Sequence, residues 1–328
     1  MSLINRRRTL GTILSAAGAS LTAPSVVLGQ GLAARQLRIV VPVSPGGGVD
    51  TFARLIAAKI QTKHNTAVIV ENRTGGNATI GGLEVRRAPP DGTTVLFHAS
   101  NHAVVNLVLK SPPYDPVVDF TPIGVAGETP LVHIISNNRP EKTVAEIVAS
   151  AKAAPEKWSF ATAQLGAPGH LAAVTFNQLT GIDIPIIAYR GTAPAANDVA
   201  GGHVPMMIEA ILSLLQLVRG GSVGAVAVTS KRRSSLAPDI PTMTDLGLPA
   251  LNFGAWWGMW GPPGLPAELT LTLNGLMNEA VKELTADGKL ASLGIEPFTE
   301  TPQFFANLIA DDNVRTAQLL KAANFKPE

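Results

Sequence analysis

Cysteine is missing altogether from the 328 residues. That excludes disulfides, thiolate metal sites and cysteine nucleophiles. Charge is scarce as well: Asp, Glu, Lys and Arg make up 15% of the chain, against roughly 25% in an average domain. Aromatic residues are only 5%, and no basic patch interleaves with them, so the footprint of a nucleic-acid binder is absent. After the first thirty residues no uncharged apolar run reaches the roughly twenty residues that span a bilayer. Catalytic signatures are lacking too. The chain has no H-E-x-x-H, no G-x-x-x-x-G-K-S/T and no G-x-G-x-x-G.

Hydrophobic residues make up 46%. With so little charge, this composition argues against disorder, and the length suits two domains of about 100–150 residues each. Two cores of that size supply stability without disulfides.

Residues 1–30 form a separate object. Arg6, Arg7 and Arg8 precede an apolar run from about Leu10 to Leu28, and small residues follow near 29–34. This is the layout of an export signal with cleavage near 29–34, through the Sec route or, given the partial twin-arginine match, Tat. The alternative is an N-terminal membrane anchor. The chain carries 26 basic and 24 acidic side chains; removing three arginines leaves 23 against 24, a net charge of about −1. A soluble periplasmic protein is expected.

Beyond the signal, strands and helices alternate, which predicts a parallel α/β sheet. "LRIVVPV" reads as a buried strand. Residues 50–64 keep helical spacing, with Asp50 at the expected N-cap. "AVIVEN" and "TTVLFHA" read as further strands. A second series starts near Pro130 with the strand "LVHIIS". A helix follows, opened by Thr143 three residues before Glu146, a capping box. Further strands are "WSFATA", "IPIIAYRG", "VPMMIEA" and "VGAVAVTS". "FGAWWGMWGPPGLP" breaks the rhythm, and two or three helices close the chain. Two α/β lobes with a cleft between them fit this order. Residues 35–127 with 253–328 would form lobe 1, and 128–252 lobe 2.

"SPGGGVD" joins the first strand to the first helix. Its glycines let backbone approach a ligand, and the amides that open a helix favour an anion. It sits at the carboxyl end of a strand, where open α/β sheets bind ligands. The alternative is a plain tight turn. His98 and His102 straddle a strand end without a third ligand, so no metal or other cofactor is expected. Asp115 and Asp119 in "YDPVVDF" read as turn caps. Trp256, Trp257 and Trp260 divide between core packing and the cleft, and Trp256 is placed in the site.

Six stretches together resemble the Bug-type periplasmic solute receptors of tripartite tricarboxylate transporters. They are "VPVSPGGGVDTFAR", "VENRTGGNATIGGLEVRRAPPDGTT", "YDPVVDFTPI", "YRGTAPAANDVAGGHVPMMIEA", "RRSSLAPDIPTMTDLGL" and "WWGMWGPPGLP". The resemblance implies a two-lobed binding-protein fold (type II-like), with two α/β domains joined by two crossing strands. It implies capture of a di- or tricarboxylate, amino acid or aromatic acid, without catalysis. The carboxylate would lie on Ser44, Pro45, Gly46, Gly47, Gly48 and Asp50. Thr162, Gln164, Leu165, Gly166, Ala167 and His170 would form the opposite wall, with Ser100 and Asn101 at one edge and Tyr189 completing the site. The implied partners are the permease subunits of such a transporter, or a sensor protein, served by a monomer. An exported hydrolase or transferase is the rival from another class.

Glu209 ends the apolar strand "VPMMI" where relatives usually carry Asp or Asn. Three roles are open. It accepts from a ligand donor or cation, it donates as a neutral acid, or it faces away and holds backbone amides.

Overall fold

The run Leu37–Val41 forms strand β1. Its apolar side chains are all buried, as a strand inside a parallel sheet requires. Strands β2 (Val68–Asn72) and β3 (Thr94–Ala99) flank it in parallel. The structure is a computed structural model and describes residues 36–328. The expected export signal and its cleavage region lie outside the described residues. Among those described, no helix is long and apolar enough to cross a membrane.

Helix α1 (Gly48–His64) packs Phe52, Ala53, Ile56, Ala57 and Ile60 onto the sheet. The Phe52 ring meets Phe97 and Trp257 edge-on at 5.7 and 5.5 Å. Each such large apolar side chain contributes about 2 kcal/mol by leaving water. The N-cap lies three residues earlier than the sequence suggested. It is Gly47, which makes no side-chain cap. Asp50 is the third helical residue, and its carboxylate reaches back to accept from the Gly46 amide at 3.0 Å.

Helices α2 (Thr79–Arg86) and α3 (Val105–Val108) precede the longest strand, β4 (Thr121–Ser136). The sequence places the strand "LVHIIS" from Leu131, and the structure extends it back through "TPIGVAGETP", although prolines and glycines are uncommon in a ladder. The glycines serve close packing. A Cβ on Gly124 would sit 2.6 Å from Asn274 and Met277, and one on Gly127 would sit 2.8 Å from the Glu296 carbonyl. The register slips between Pro122 and Gly124 and between Val125 and Gly127, and such irregularities accommodate these residues in a ladder.

The second series holds helix α4 (Val144–Ala153), with the Thr143–Glu146 capping box formed, and strand β5 (Phe160–Thr162). Helix α5 (Pro168–Thr180), strand β6 (Ile186–Ala188), helix α6 (Thr192–Ala200) and strand β7 (Met206–Ala210) follow. Helix α7 (Ile211–Arg219) and strand β8 (Val223–Val228) complete the series. Strand β9 (Gly254–Gly261), helices α8 (Ala267–Ala286) and α9 (Lys289–Ser292), strand β10 (Glu296–Pro297) and helix α10 (Pro302–Ala322) close the chain.

One sheet carries all ten strands, in the order β2-β1-β3-β9-β4-β7-β5-β6, with β8 and β10 also on β4. β4 joins its two halves. Thr121–Pro130 pairs with β9, and Leu131–Ser136 pairs with β7 and β8. The chain returns between Val228 and Gly254. Thr229 pins that return: its amide and hydroxyl bond the backbone of Leu131, and its hydroxyl donates to the Phe253 carbonyl at 2.6 Å. β9 then pairs with β3 and the first half of β4.

Candidate ligand-binding site

A cavity of about 30 Å³ lies between the two halves of the sheet. Four helices begin at its wall. Gly48 and Val49 open α1, Pro168 opens α5, Thr192 opens α6, and Ala210 precedes α7. Their N-caps are Gly47, Ala167, Gly191 and Ala210, and none makes a side-chain cap. Small or apolar residues stand where Ser, Asp or Thr would normally close a helix start. The leading amides are therefore not consumed by their own caps. Each helix end carries roughly half a positive charge, so the cavity favours an anion.

Among the described residues no Lys or Arg lines this wall. His98 does. Burial pushes its ring down to about 3, with the Gln164 side chain pulling the other way, so it is neutral at physiological pH. Glu209 also lines the cavity and is only 4% exposed. Its Oε1 accepts from the Ala210 amide at 2.9 Å, while Oε2 has no protein partner. Burial raises its pKa to about 7, against the opposing pull of the Ala210 and Ala163 amides. The Ser213 Oγ is buried on the same wall, also without a protein partner.

The halves are bonded to each other around the cavity. The Asn101 amide donates to Gln164 Oε1 at 2.7 Å. Asn77 clamps the Leu165 backbone, accepting from its N–H at 2.8 Å and donating to its carbonyl at 3.1 Å. The clamp stands on unusual backbone: Gly75, Gly76, Asn77 and Ala78 all have positive φ, at 116°, 57°, 52° and 73°. An alanine in that region is strained by of order 1–3 kcal/mol. The Ser44 amide and hydroxyl both donate to the Arg190 carbonyl at 2.9 Å.

Of the residues proposed from sequence, Gly47, Gly48, Asn101, Gln164, Ala167 and Glu209 meet on the cavity wall. The others lie off it. Ser44 bridges to Arg190, while Pro45 and Gly46 are exposed at the rim. Asp50 lies behind the loop, bonded to Gly46, Arg54 and Asn72. Burial works to raise its pKa, but those partners outweigh it and hold the carboxyl below the usual range. Asp50 thus shapes the loop. Ser100 and Thr162 are buried off the wall.

Leu165, beside its clamp, packs with Val108, Leu171 and Leu320. Gly166 donates to His170 Nδ1 at 3.2 Å, and the His170 ring stacks edge-on against Phe325. Tyr189 donates to Asp198 at 2.6 Å. Trp256 packs with Trp260 and Phe305 on the other side of β9. Trp257 is the indole on the wall, because neighbours in a strand face opposite ways. Sequence reasoning also missed His98, Thr192 and Ser213 as wall residues. The sequence favours ordinary polar packing at a strand end for His98 over a metal ligand, and neither role places it on a ligand wall. Thr192 and Ser213 carry no local signal, since only the packing of α6 and α7 turns them inward.

This architecture, a curled α/β sheet with helix starts facing a central cavity, is that of periplasmic binding proteins. The periplasmic binding protein BugD superposes with a TM-score of 0.84 at 31% identity, covering 89% of this chain and 99% of that one. Rpa4515 of R. palustris with adipate gives 0.85 at 28% identity, covering 89% and 98%. MatC from Rhodopseudomonas palustris with bound malate gives 0.82 at 27%, covering 87% and 98%. The tripartite tricarboxylate transporter family receptor model matches residues 52–325, and the chain belongs to that family. Protein BugT of Bordetella pertussis (strain Tohama I / ATCC BAA-589 / NCTC 13251) is 32% identical over 295 residues, 89% of this chain and 90% of that protein.

Proposed function

We propose that this protein is the exported receptor of a tripartite transporter, and that it captures a small organic carboxylate in the central cavity. The observation that carries this reading is the convergence of four uncapped helix starts on a wall without Lys or Arg. Such a wall holds an anion through backbone amides. Adipate and malate are the ligands named for two structural relatives, and both are carboxylates. Residues 35–127 with 253–328 move as one lobe and 128–252 as the other. They close over the ligand, and the closed form docks on membrane permease subunits. The ligand leaves unchanged, so the protein has no turnover of its own.

The test is to denature the purified protein, identify the released small molecule by mass spectrometry, and titrate it back calorimetrically. A one-to-one carboxylate recovered intact is the expected result. A non-carboxylate ligand, or a ligand chemically altered on incubation, overturns the reading. Small-angle scattering should show a smaller radius of gyration with ligand. An unchanged radius with confirmed binding overturns lobe closure.

A further inference from the structure

The helix starts account for one negative group on the ligand, and they leave Glu209 unexplained. Its carboxyl is buried on the cavity wall with Oε2 free. Oε1 is turned to the Ala210 amide, an arrangement in which the group accepts. The charged and titratable groups facing this cavity are few. Glu209 comes from β7 and neutral His98 from β3; α1, α5, α6 and α7 present backbone, Thr192 and Ser213. A buried carboxylate needs a hydrogen-bonded or cationic partner, and no lining side chain supplies a cation. The Ser213 Oγ, buried with no protein partner, is a second acceptor on the same wall.

Resting on the carboxylate reading above, the geometry points to a ligand that carries an ammonium group near its carboxylate, with Glu209 Oε2 and Ser213 Oγ as the ammonium's acceptors. The ligand class is then a small amino carboxylate. Its carboxylate faces the helix starts and its ammonium faces β7 and α7. The same corner disfavours a plain acid, whose hydrocarbon would cover both oxygens and leave them unpaired. It also disfavours a second carboxylate at this position, since like charges repel strongly beside a buried group.

Two matched trios test this by calorimetric titration of the dialysed protein: alanine, lactate and propionate, then aspartate, malate and succinate. The members of each trio differ only in an amine, a hydroxyl or a hydrogen at one carbon. The amine of at least one trio should bind at least tenfold tighter than its hydroxy and plain counterparts. Glu209→Gln should weaken the amine by roughly thirtyfold or more, as when one partner of a buried charge pair is truncated. The plain acid should not share that loss, because it pairs with neither oxygen. Ser213→Ala should weaken the amine alone, by severalfold. Melting curves establish that both variants fold, and Ser213→Ala stands as the check if Glu209→Gln does not.

A plain or hydroxy acid that equals the amine overturns the proposal and leaves the carboxylate reading intact, as does an amine affinity untouched by both variants. If no probe binds, the molecule released on denaturation decides. An amino carboxylate supports the proposal. A carboxylate without an amine overturns it alone. A molecule without a carboxylate, or none at all, overturns both readings.

Discussion

The two walls of the cavity are built by different means. The wall from the first half offers backbone of the glycine loop, the neutral side chains His98 and Asn101, and the Trp257 ring. The wall from the second half offers three helix starts and Glu209, the sole lining side chain able to carry charge at neutral pH. On the proposed reading the anion is held from both walls, by one helix start of the first half and three of the second, and Glu209 reads what else it carries. Substitutions on the two sides should therefore fail differently.

The largest expected effect lies on the second wall. A Cβ on Gly169 would stand 1.9 Å from the Ile208 carbonyl, so Gly169→Ala must push α5 off β7. Overpacking of this kind costs about 3 kcal/mol or more, and a denaturant melt should show it as lost stability with or without ligand. On the first wall the loss should be of binding rather than fold. A Cβ on Gly48 would lie 2.8 Å from Ser213 Oγ and 3.4 Å from Leu212, across the cavity. Gly48→Val should therefore leave the melt of the ligand-free protein nearly unchanged and weaken calorimetric affinity by about a hundredfold or more. Gly47 is the control. Its φ is −82° and its Cβ would make only ordinary contact with Thr192 at 3.6 Å, so Gly47→Ala should keep affinity within about threefold. Equal losses at 47 and 48 would show that contact across the cavity at Gly48 is not what weakens binding.

A smaller effect should come from the clamp between the walls. Asn77→Gly keeps the left-handed backbone and removes both side-chain bonds to Leu165. Two neutral hydrogen bonds contribute about 1–2 kcal/mol together. Affinity should fall roughly five- to thirtyfold, mostly through faster dissociation, measured by stopped-flow. An unchanged dissociation rate would show that the clamp does not hold the closed state.

The gentlest probe is pH. Burial lowers His98 and His133 to about 3 and His170 to about 4, and pushes His102 well down. Folded values below the unfolded one make the unfolded chain bind more protons in acid, so each histidine removes stability as pH falls below about 6.5. Glu209 has the opposite sign. Its folded value of about 7 exceeds the unfolded one, so it adds stability as pH falls from about 7 to 4.5. The histidines outnumber it, and the melting temperature should fall on acidification from pH 6.5 to 5. Glu209→Gln should steepen that fall and raise stability near pH 8. The same acid slope in variant and parent would mean that Glu209 is not a buried titrating acid.

The walls also differ in how far they could be read beforehand. "SPGGGVD" pointed to the first helix start, though a plain tight turn fitted it equally and Gly47, not Asp50, is the N-cap. The Thr143–Glu146 capping box was plainer, since both partners lie within one turn. The second wall gave weaker signals: Ala167 and Ala210 are N-caps by position, not by chemistry. Trp256 and Trp257 are both buried, and only the pairing of Trp257 with Ala99 across β9 and β3 fixes which ring meets the cavity. The first half of β4 was hidden because its glycines answer to α8 and β10, which arrive some 150 residues later in the chain.

The place of β9 also governs the order in which the fold can be made. It lies between β3 and β4, yet it is residues 254–261 that form it. Until those residues exist, β3 lacks one neighbour and the first half of β4 lacks its principal one, and each presents an unpaired edge. Contacts this distant in sequence form slowly, because loop closure must precede any gain. A nascent chain is thus kept from locking its first half early. The exposed edges during that delay make holding chaperones a natural need.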